Sequence, residues 1–239
     1  MIPKTIHYCW FGKSEMPQLA KDCIASWHQF MPDWEYKLWN EDNFDVNCTP
    51  YTAEAYAAKK YAFVSDYVRL WALEQDGGVY LDTDVEVFKS LDDLLSFGAF
   101  AGFEGSKYLP MGTCILGSRA HGAWVSEMLG YYHNRHFVKN DGSLDLTTNV
   151  QFLSAKMREH GLIQNGQEQD YRDLHIFPVE YFCPRQTTGE YIRTENTYCD
   201  HLGLGSWSDE GQGWKDMVRK IIGPKAMIQL IKLKRKLIG

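Results

Sequence analysis

No run of 18 uncharged apolar residues occurs in the 239-residue chain, so the sequence contains no candidate membrane span. Its first residues, MIPKTIHYCWFG, lack the apolar core and small-residue cleavage site of a secretory signal. The expected location is the cytoplasm. The six cysteines at 9, 23, 48, 114, 183 and 199 form no CxxC pair. Cysteines scattered in this way read as buried free thiols rather than a disulfide framework. Cys199 beside His201 could imitate half of a zinc site, but no second pair completes four ligands, which argues against zinc. There is no GxxxxGK[ST] loop and no GxSxG elbow, which excludes P-loop and nucleophile-elbow chemistry. GLGSW lacks the third glycine and the preceding strand of a dinucleotide fingerprint. Repeats, low-complexity tracts and linkers are likewise missing. Hydrophobic residues make up 44% and charged residues 23%, which excludes disorder and collagen and fits one large domain with at most a small appendage.

Positive charge is scarce except at one end. Residues 215–239 hold eight Lys/Arg against one Asp, a local +7 within a chain of net −6. The other 214 residues are therefore strongly acidic, and nucleic acid is excluded as the main partner. The expected organisation is a domain over 1–214 and a basic amphipathic helix over 215–239. On a helical wheel Lys225, Lys232 and Lys236 share one side, and Met227, Leu230, Ile231, Leu237 and Ile238 the other. Residues 224–239 read either as an interfacial helix on anionic lipid or as a helix packed on protein. The first reading places the chain peripherally on the inner face of the membrane.

Apolar patterning predicts strands at Ile2–Tyr8, Trp34–Trp39, Val79–Leu81, Ala99–Phe103 and Thr113–Leu116, and helices at Leu19–Phe30, Tyr61–Gln75, Ala123–His133 and Val150–His160. Gly77-Gly78 stops the second helix. Strands alternating with helices predict an α/β fold, a mostly parallel central sheet flanked by helices. Ligands in such folds sit beyond the carboxyl ends of strands, which points to the residues after Val79–Leu81.

Those residues are Asp82-Thr83-Asp84. Carboxylates at i and i+2 share one side of an extended chain. As paired hard oxygen ligands they suit Mn²⁺ or Mg²⁺, and through it a diphosphate. The competing reading is a solvated acidic turn. Upstream, Asp66 and Arg69 share one face of a helix that is apolar nearly all round. Such a pair is either buried and satisfied or faces a polar cavity. An arginine fork suits phosphate or sugar hydroxyls. His201-Leu-Gly-Leu-Gly-Ser206-Trp207 combines an imidazole, a flexible turn, a hydroxyl and an indole.

Together, IPKTIHYCWFG, SWHQFMPDWEYKLWNEDNFD, AKKYAFVSDYVRLWALEQDGGVYLDTDVEVFKSLDDLL, PVEYFCPR and HLGLGSW resemble the DXD-containing sugar transferases. These comprise glycosyltransferase family 32, with bacterial capsular and surface polysaccharide enzymes, related fungal initiating α-1,6-mannosyltransferases and, more distantly, clostridial toxin glucosylating domains. The resemblance implies a GT-A fold, a nucleotide-sugar donor, Mn²⁺ (or Mg²⁺), and retention of anomeric configuration. By position it implies that Trp10 stacks on the donor base and that Ser65, Asp66 and Arg69 contact ribose, sugar and phosphate. Tyr80 would line the donor site. Asp84 would ligate the metal directly with His201, and Asp82, the remaining member of that set, would lie near sugar and ribose. Ser206 and Trp207 would close over the diphosphate, and Asn149 would touch the sugar. The LTTN segment around Asn149 departs from the TGP form of the fungal relatives.

The function expected from this resemblance is transfer from a nucleotide sugar, with uridine as the base, to a saccharide or lipid-linked saccharide acceptor in capsular or surface polysaccharide synthesis. Acceptor loops are expected within 104–145 and 161–200. One rival is a non-catalytic nucleotide- or sugar-binding module of the same fold. Another is a DxD phosphatase, which the position of the motif at residue 82 and Glu86 in its fifth place oppose.

Overall fold

The computed structural model describes residues 1–105, 109–110, 114–184 and 191–203. Ser206, Trp207, the boundary at 214 and the tail 215–239 lie outside the described residues. The strands are β1 (Thr5–Cys9), β2 (Glu35–Trp39), β3 (Gly78–Leu81), β4 (Val85–Val87), β5 (Ala99–Glu104), β6 (Leu109–Pro110), β7 (Ile115–Ser118), β8 (Gln169–Tyr171), β9 (Leu174–Phe177) and β10 (Cys199–His201). The α-helices are α1 (Gln18–Phe30), α2 (Pro50–Ala57), α3 (Tyr61–Asp76), α4 (Ala123–Gly130), α5 (Asn149–Glu159) and α6 (Val179–Phe182).

The main sheet has the order β2-β1-β3-β7-β5-β9-β8, with β6 beside β5. β2, β1, β3, β5 and β9 run one way, and β7 and β8 run against them. The architecture is thus the expected α/β one on a mostly parallel sheet. β4 and β10 form a separate antiparallel pair. Helix α3 packs on β1, β3 and β7. No helix among the described residues is long and apolar enough to cross a membrane.

The first strand begins three residues later than the periodicity predicts. Pro3 accepts from the Thr5 amide in a tight turn at 2.9 Å, so pairing starts only at Thr5 and continues through Cys9. Helix α4 ends at Gly130, three residues short of its predicted end. Helix α5 starts at Asn149 because Thr148 and Gln151 form a capping box. The segments expected as acceptor loops include framework strands. β7 lies between β3 and β5, and β9 lies beside β5. β7 overlaps the strand expected at Thr113–Leu116, whereas β9, an interior strand without alternating burial, does not stand out by period.

Several devices set the DXD turn. Trp27 of α1, fully buried, donates to the Val85 carbonyl at 2.8 Å, and the Ser26 hydroxyl accepts from the Val87 amide at 3.0 Å. At the other end of β3, the chain turns through Gly77 (φ 65) and Gly78 (φ 116). A Cβ on Gly78 would lie 2.6 Å from the Thr5 carbonyl, so close strand approach requires glycine there. Buried His7 braces the same turn. Trp39 donates to its Nδ1 at 3.1 Å, which leaves Nε2 to carry the proton toward the Gly77 carbonyl at 2.7 Å. Burial lowers the pKa of His7, and the imidazole is neutral.

Candidate active site

β3 is buried along its whole length and releases the chain into Asp82-Thr83-Asp84 at its carboxyl end. The Asp82 amide donates to the Cys114 carbonyl at 2.8 Å, and the Val85 amide donates back to the Asp82 carbonyl at 3.0 Å. The two aspartates therefore sit on a tight turn between β3 and β4. β10 then pairs with β4 so that His201 stands opposite Val85, and the Leu202 amide donates to the Asp84 carbonyl at 3.0 Å. That pairing brings His201 Nε2 to 3.4 Å from Asp84 Oδ1 and His201 Nδ1 to 3.8 Å from Glu104 Oε1. One ligand atom each from Asp82, Asp84 and His201 lies within 4.8 Å of the others. Two carboxylates and an imidazole at that spacing fit a divalent cation of the Mn²⁺ or Mg²⁺ kind. Burial opposes charge on His201, but the Cys114 sulfur and the Asp84 and Glu104 carboxylates outweigh it and raise its pKa well above the usual value.

Arg69 supports the turn from α3. Its side chain is 5% exposed, with Nη2 3.0 Å from Asp66 Oδ1 and 3.3 Å from Asp82 Oδ1. Its Nε donates to the Ser65 carbonyl at 3.2 Å, and its guanidinium lies 4.5 Å from the Tyr80 ring centre. The Tyr80 hydroxyl donates to Asp82 Oδ1 at 2.8 Å. Asp66 is held from the far side by the start of α5. The Asn149 amide donates to Asp66 Oδ2 at 3.1 Å, and Asn149 Nδ2 donates to the Asp66 carbonyl at 3.2 Å. Tyr132 donates to Asn149 Oδ1 at 2.9 Å. A helix N-terminus carries partial positive charge, so its placement favours the carboxylate.

One guanidinium thus serves two carboxylates, buried Asp66 and half-buried Asp82. Burial pushes the Asp66 carboxyl up to about 6 against the pull of Arg69. Burial also raises Asp82, opposed by Arg69 and assisted by Asp84. Burial opposes the Arg69 charge as well, but Asp82, Tyr80 and Asp66 hold it, and its pKa stands well above the normal value. Of the two readings open for the Asp66–Arg69 pair, the structure selects the buried and satisfied one, with Arg69 directed at the DXD turn.

Of the residues singled out in the sequence, Asp66, Arg69, Tyr80, Asp82, Asp84, Asn149 and His201 form one connected network. Tyr80 is 1% exposed and acts from behind Asp82. Asn149, 1% exposed, holds Asp66. Ser65 bonds within its own helix, its hydroxyl donating to the Tyr61 carbonyl at 3.2 Å. Trp10 follows β1 directly, and its indole donates to the Ser14 carbonyl at 2.6 Å. Glu104 escaped the sequence reading. Its signal was a carboxylate ending the buried run Ala99–Phe103, the same kind of signal that drew attention to Asp82.

Residues 17–101 match the family model described as "Glycosyltransferase sugar-binding region containing DXD motif". The chain is 34% identical over 103 residues to "Inositol phosphoceramide mannosyltransferase 3" of Schizosaccharomyces pombe, a match covering 41% of this chain and 29% of that protein. It is 24% identical over 226 residues to "Uncharacterized glycosyltransferase L373" of Acanthamoeba polyphaga mimivirus, covering 87% of this chain and 84% of that one. Among solved structures, "PaToxG Glycosyltransferase" is similar at 18% identity and a TM-score of 0.46, covering 65% of this chain and 68% of that one.

Proposed function

We propose, on the premise that residues 17–101 form a glycosyltransferase sugar-binding region with a DXD motif, that the chain is a metal-dependent retaining glycosyltransferase. It moves a sugar from a nucleotide-sugar donor to a saccharide acceptor. The observation that carries this reading is the β4–β10 pairing, which sets His201 beside Asp84 and completes an Asp-Asp-His set next to a buried arginine. The α/β sheet, with the DXD turn beyond the carboxyl end of β3, supports the GT-A assignment.

Asp82, Asp84 and His201 would hold a Mn²⁺ or Mg²⁺ whose charge neutralises the diphosphate as it leaves. Arg69, fixed by Asp66 and Asp82, is a preorganised donor that costs no reorganisation when phosphate charge develops. By the family resemblance, Asp66 and Ser65 would lie near the sugar and ribose, Trp10 would stack on the base, and Ser206 and Trp207 would close over the diphosphate. The anomeric carbon becomes oxocarbenium-like as its bond to the phosphate lengthens. The acceptor hydroxyl attacks from the same face, the departing phosphate takes up its proton, and configuration is retained.

Uridine is the expected base, and the mannosyltransferase name of the fission-yeast relative supports mannose as the sugar. The basic tail at 224–239 supports a lipid-linked acceptor of capsular or surface polysaccharide synthesis, with the chain held on an anionic membrane. Deleting those residues should release it from anionic vesicles.

Thermal stability with Mn²⁺ and UDP, GDP, CMP or dTDP, singly and in pairs, tests the reading. A ligand bound only by the folded state raises the melting temperature. A shift that needs both Mn²⁺ and one nucleotide supports a donor site and names its base. No shift with any pair refutes it. Hydrolysis of the matching nucleotide sugar then separates an enzyme from a binding module.

A further inference from the structure

A second group of ligand atoms lies directly behind the DXD turn. Cys114 precedes β7, and its carbonyl receives the Asp82 amide at 2.8 Å. Cys183 follows α6. The two side chains are buried, and their sulfurs stand 3.5 Å apart. Cys114, Cys183 and His201 have ligand atoms within 4.8 Å of one another. Cys199, the cysteine suggested by sequence spacing, turns instead to the Phe182 carbonyl at 3.5 Å.

The spacing is informative. Two thiolates bound tetrahedrally at about 2.3 Å from one zinc lie roughly 3.8 Å from each other, whereas a disulfide needs about 2.05 Å. The observed 3.5 Å, at which one thiol donates a hydrogen bond to the other, is within a few tenths of an ångström of the first distance and far from the second. Thiolates with an imidazole select soft cations, while carboxylates select Mn²⁺ and Mg²⁺. The two trios have opposite preferences and share one residue, His201.

We propose that Cys114, Cys183 and His201 form a site for a thiophilic cation, with Zn²⁺ as the natural occupant, and that filling it withdraws His201 from Asp82 and Asp84. Two S–H bonds and one N–H bond of the protonated His201 ring break as two sulfur–zinc bonds and one nitrogen–zinc bond form, the three protons pass to solvent, and no electrons are exchanged. Glu104, already facing His201 Nδ1 at 3.8 Å, or a water completes the fourth position. Zinc then acts as an antagonist of the hard cation. The antagonism, though not the site itself, rests on the role proposed above for His201.

Co²⁺ is the probe, added to the full chain under reducing conditions in a Cys48→Ser background, since Cys48 is the exposed cysteine. The expected result is one Co²⁺ per chain with a thiolate-to-cobalt charge-transfer band and tetrahedral visible bands, all displaced by one equivalent of Zn²⁺. Cys114→Ser and Cys183→Ser should each weaken the band, and the double variant should abolish it. Asp82→Asn/Asp84→Asn should keep it. A parent protein without the band, or a band that survives the double serine variant, overturns the site.

The antagonism is read from the Mn²⁺ needed for nucleotide-dependent thermal stabilisation. Zn²⁺ at ten times its own Kd should raise that requirement about tenfold in the parent and leave Cys114→Ser/Cys183→Ser unaffected. An unchanged requirement in the parent overturns the antagonism. A cobalt band without any Mn²⁺–nucleotide shift upholds the soft site and refutes the transferase reading. The reverse pattern upholds the transferase reading and refutes the soft site.

Discussion

Replacing Asp66 by asparagine should remove a pH dependence that this carboxylate gives the fold. Asp66 is 8% exposed and lies between Arg69 at 3.0 Å and the Asn149 amide at 3.1 Å. Burial raises its pKa from 3.8 to about 6, Arg69 works against the rise and Asp82 adds to it. The folded state therefore binds this proton more tightly than the unfolded chain. The resulting stabilisation is fully present below the unfolded value of 3.8 and is lost as pH rises toward about 6. Roughly two pKa units correspond to on the order of 3 kcal/mol. Asparagine keeps the shape and an acceptor for the Asn149 amide but carries no charge to bury. Urea unfolding at intervals from pH 4 to 7, without divalent cations, measures the difference at constant m-value. Wild type should lose about 2 kcal/mol relative to Asp66→Asn across that interval. Parallel curves would refute the argument. A wild type that gains on the variant as pH rises would mean that Arg69 outweighs burial and holds the carboxyl below its ordinary value.

Three further outcomes follow from the same geometry. Arg69→Met leaves buried Asp66 and half-buried Asp82 without their shared cation and should cost about 3–5 kcal/mol, chiefly through Asp66; an unchanged urea midpoint would show that the two carboxylates do not depend on it. Asp84→Ala should abolish the Mn²⁺-dependent nucleotide shift while moving the ligand-free unfolding free energy by no more than about 1 kcal/mol, and a retained shift would remove Asp84 from the cation site. Gly78→Ala forces a Cβ to within 2.6 Å of the Thr5 carbonyl at φ 116 and should cost at least about 1–3 kcal/mol, so a variant that melts like wild type would show that the β1–β3 entry can shift.

Zinc antagonism would couple the soft and the hard cation sets directly. No additional domain is needed for it, because both cation sets converge on one histidine carried by a three-residue strand.

The chemistry written into short stretches was legible without coordinates. The all-round apolar character of Tyr61–Asp76, the Gly77-Gly78 stop and the buried run into Asp82 and Asp84 located α3, β3 and the DXD turn. These features depend on neighbours within a few residues, and helix period, glycine torsions and strand length are local properties. Helix α2 was missed although Thr49 caps it and Pro50 opens it, because its apolar residues make no long stripe. β8, β9, β10 and α6, each four residues or fewer, are too short for periodicity and exist through pairing and packing.

Tertiary structure decided the rest. Only the register of β4 against β10 places His201 beside Asp84. Only the docking of the α5 N-terminus on α3 places Asn149, a candidate sugar contact, in hydrogen bonds to Asp66. Only the approach of the β7 and α6 ends sets two distant thiols 3.5 Å apart. Which residues carry charge or bind metal follows from side-chain chemistry, and that is complete in the sequence. Which of them act together depends on loop closures spanning the chain, and those are set by packing the whole core at once.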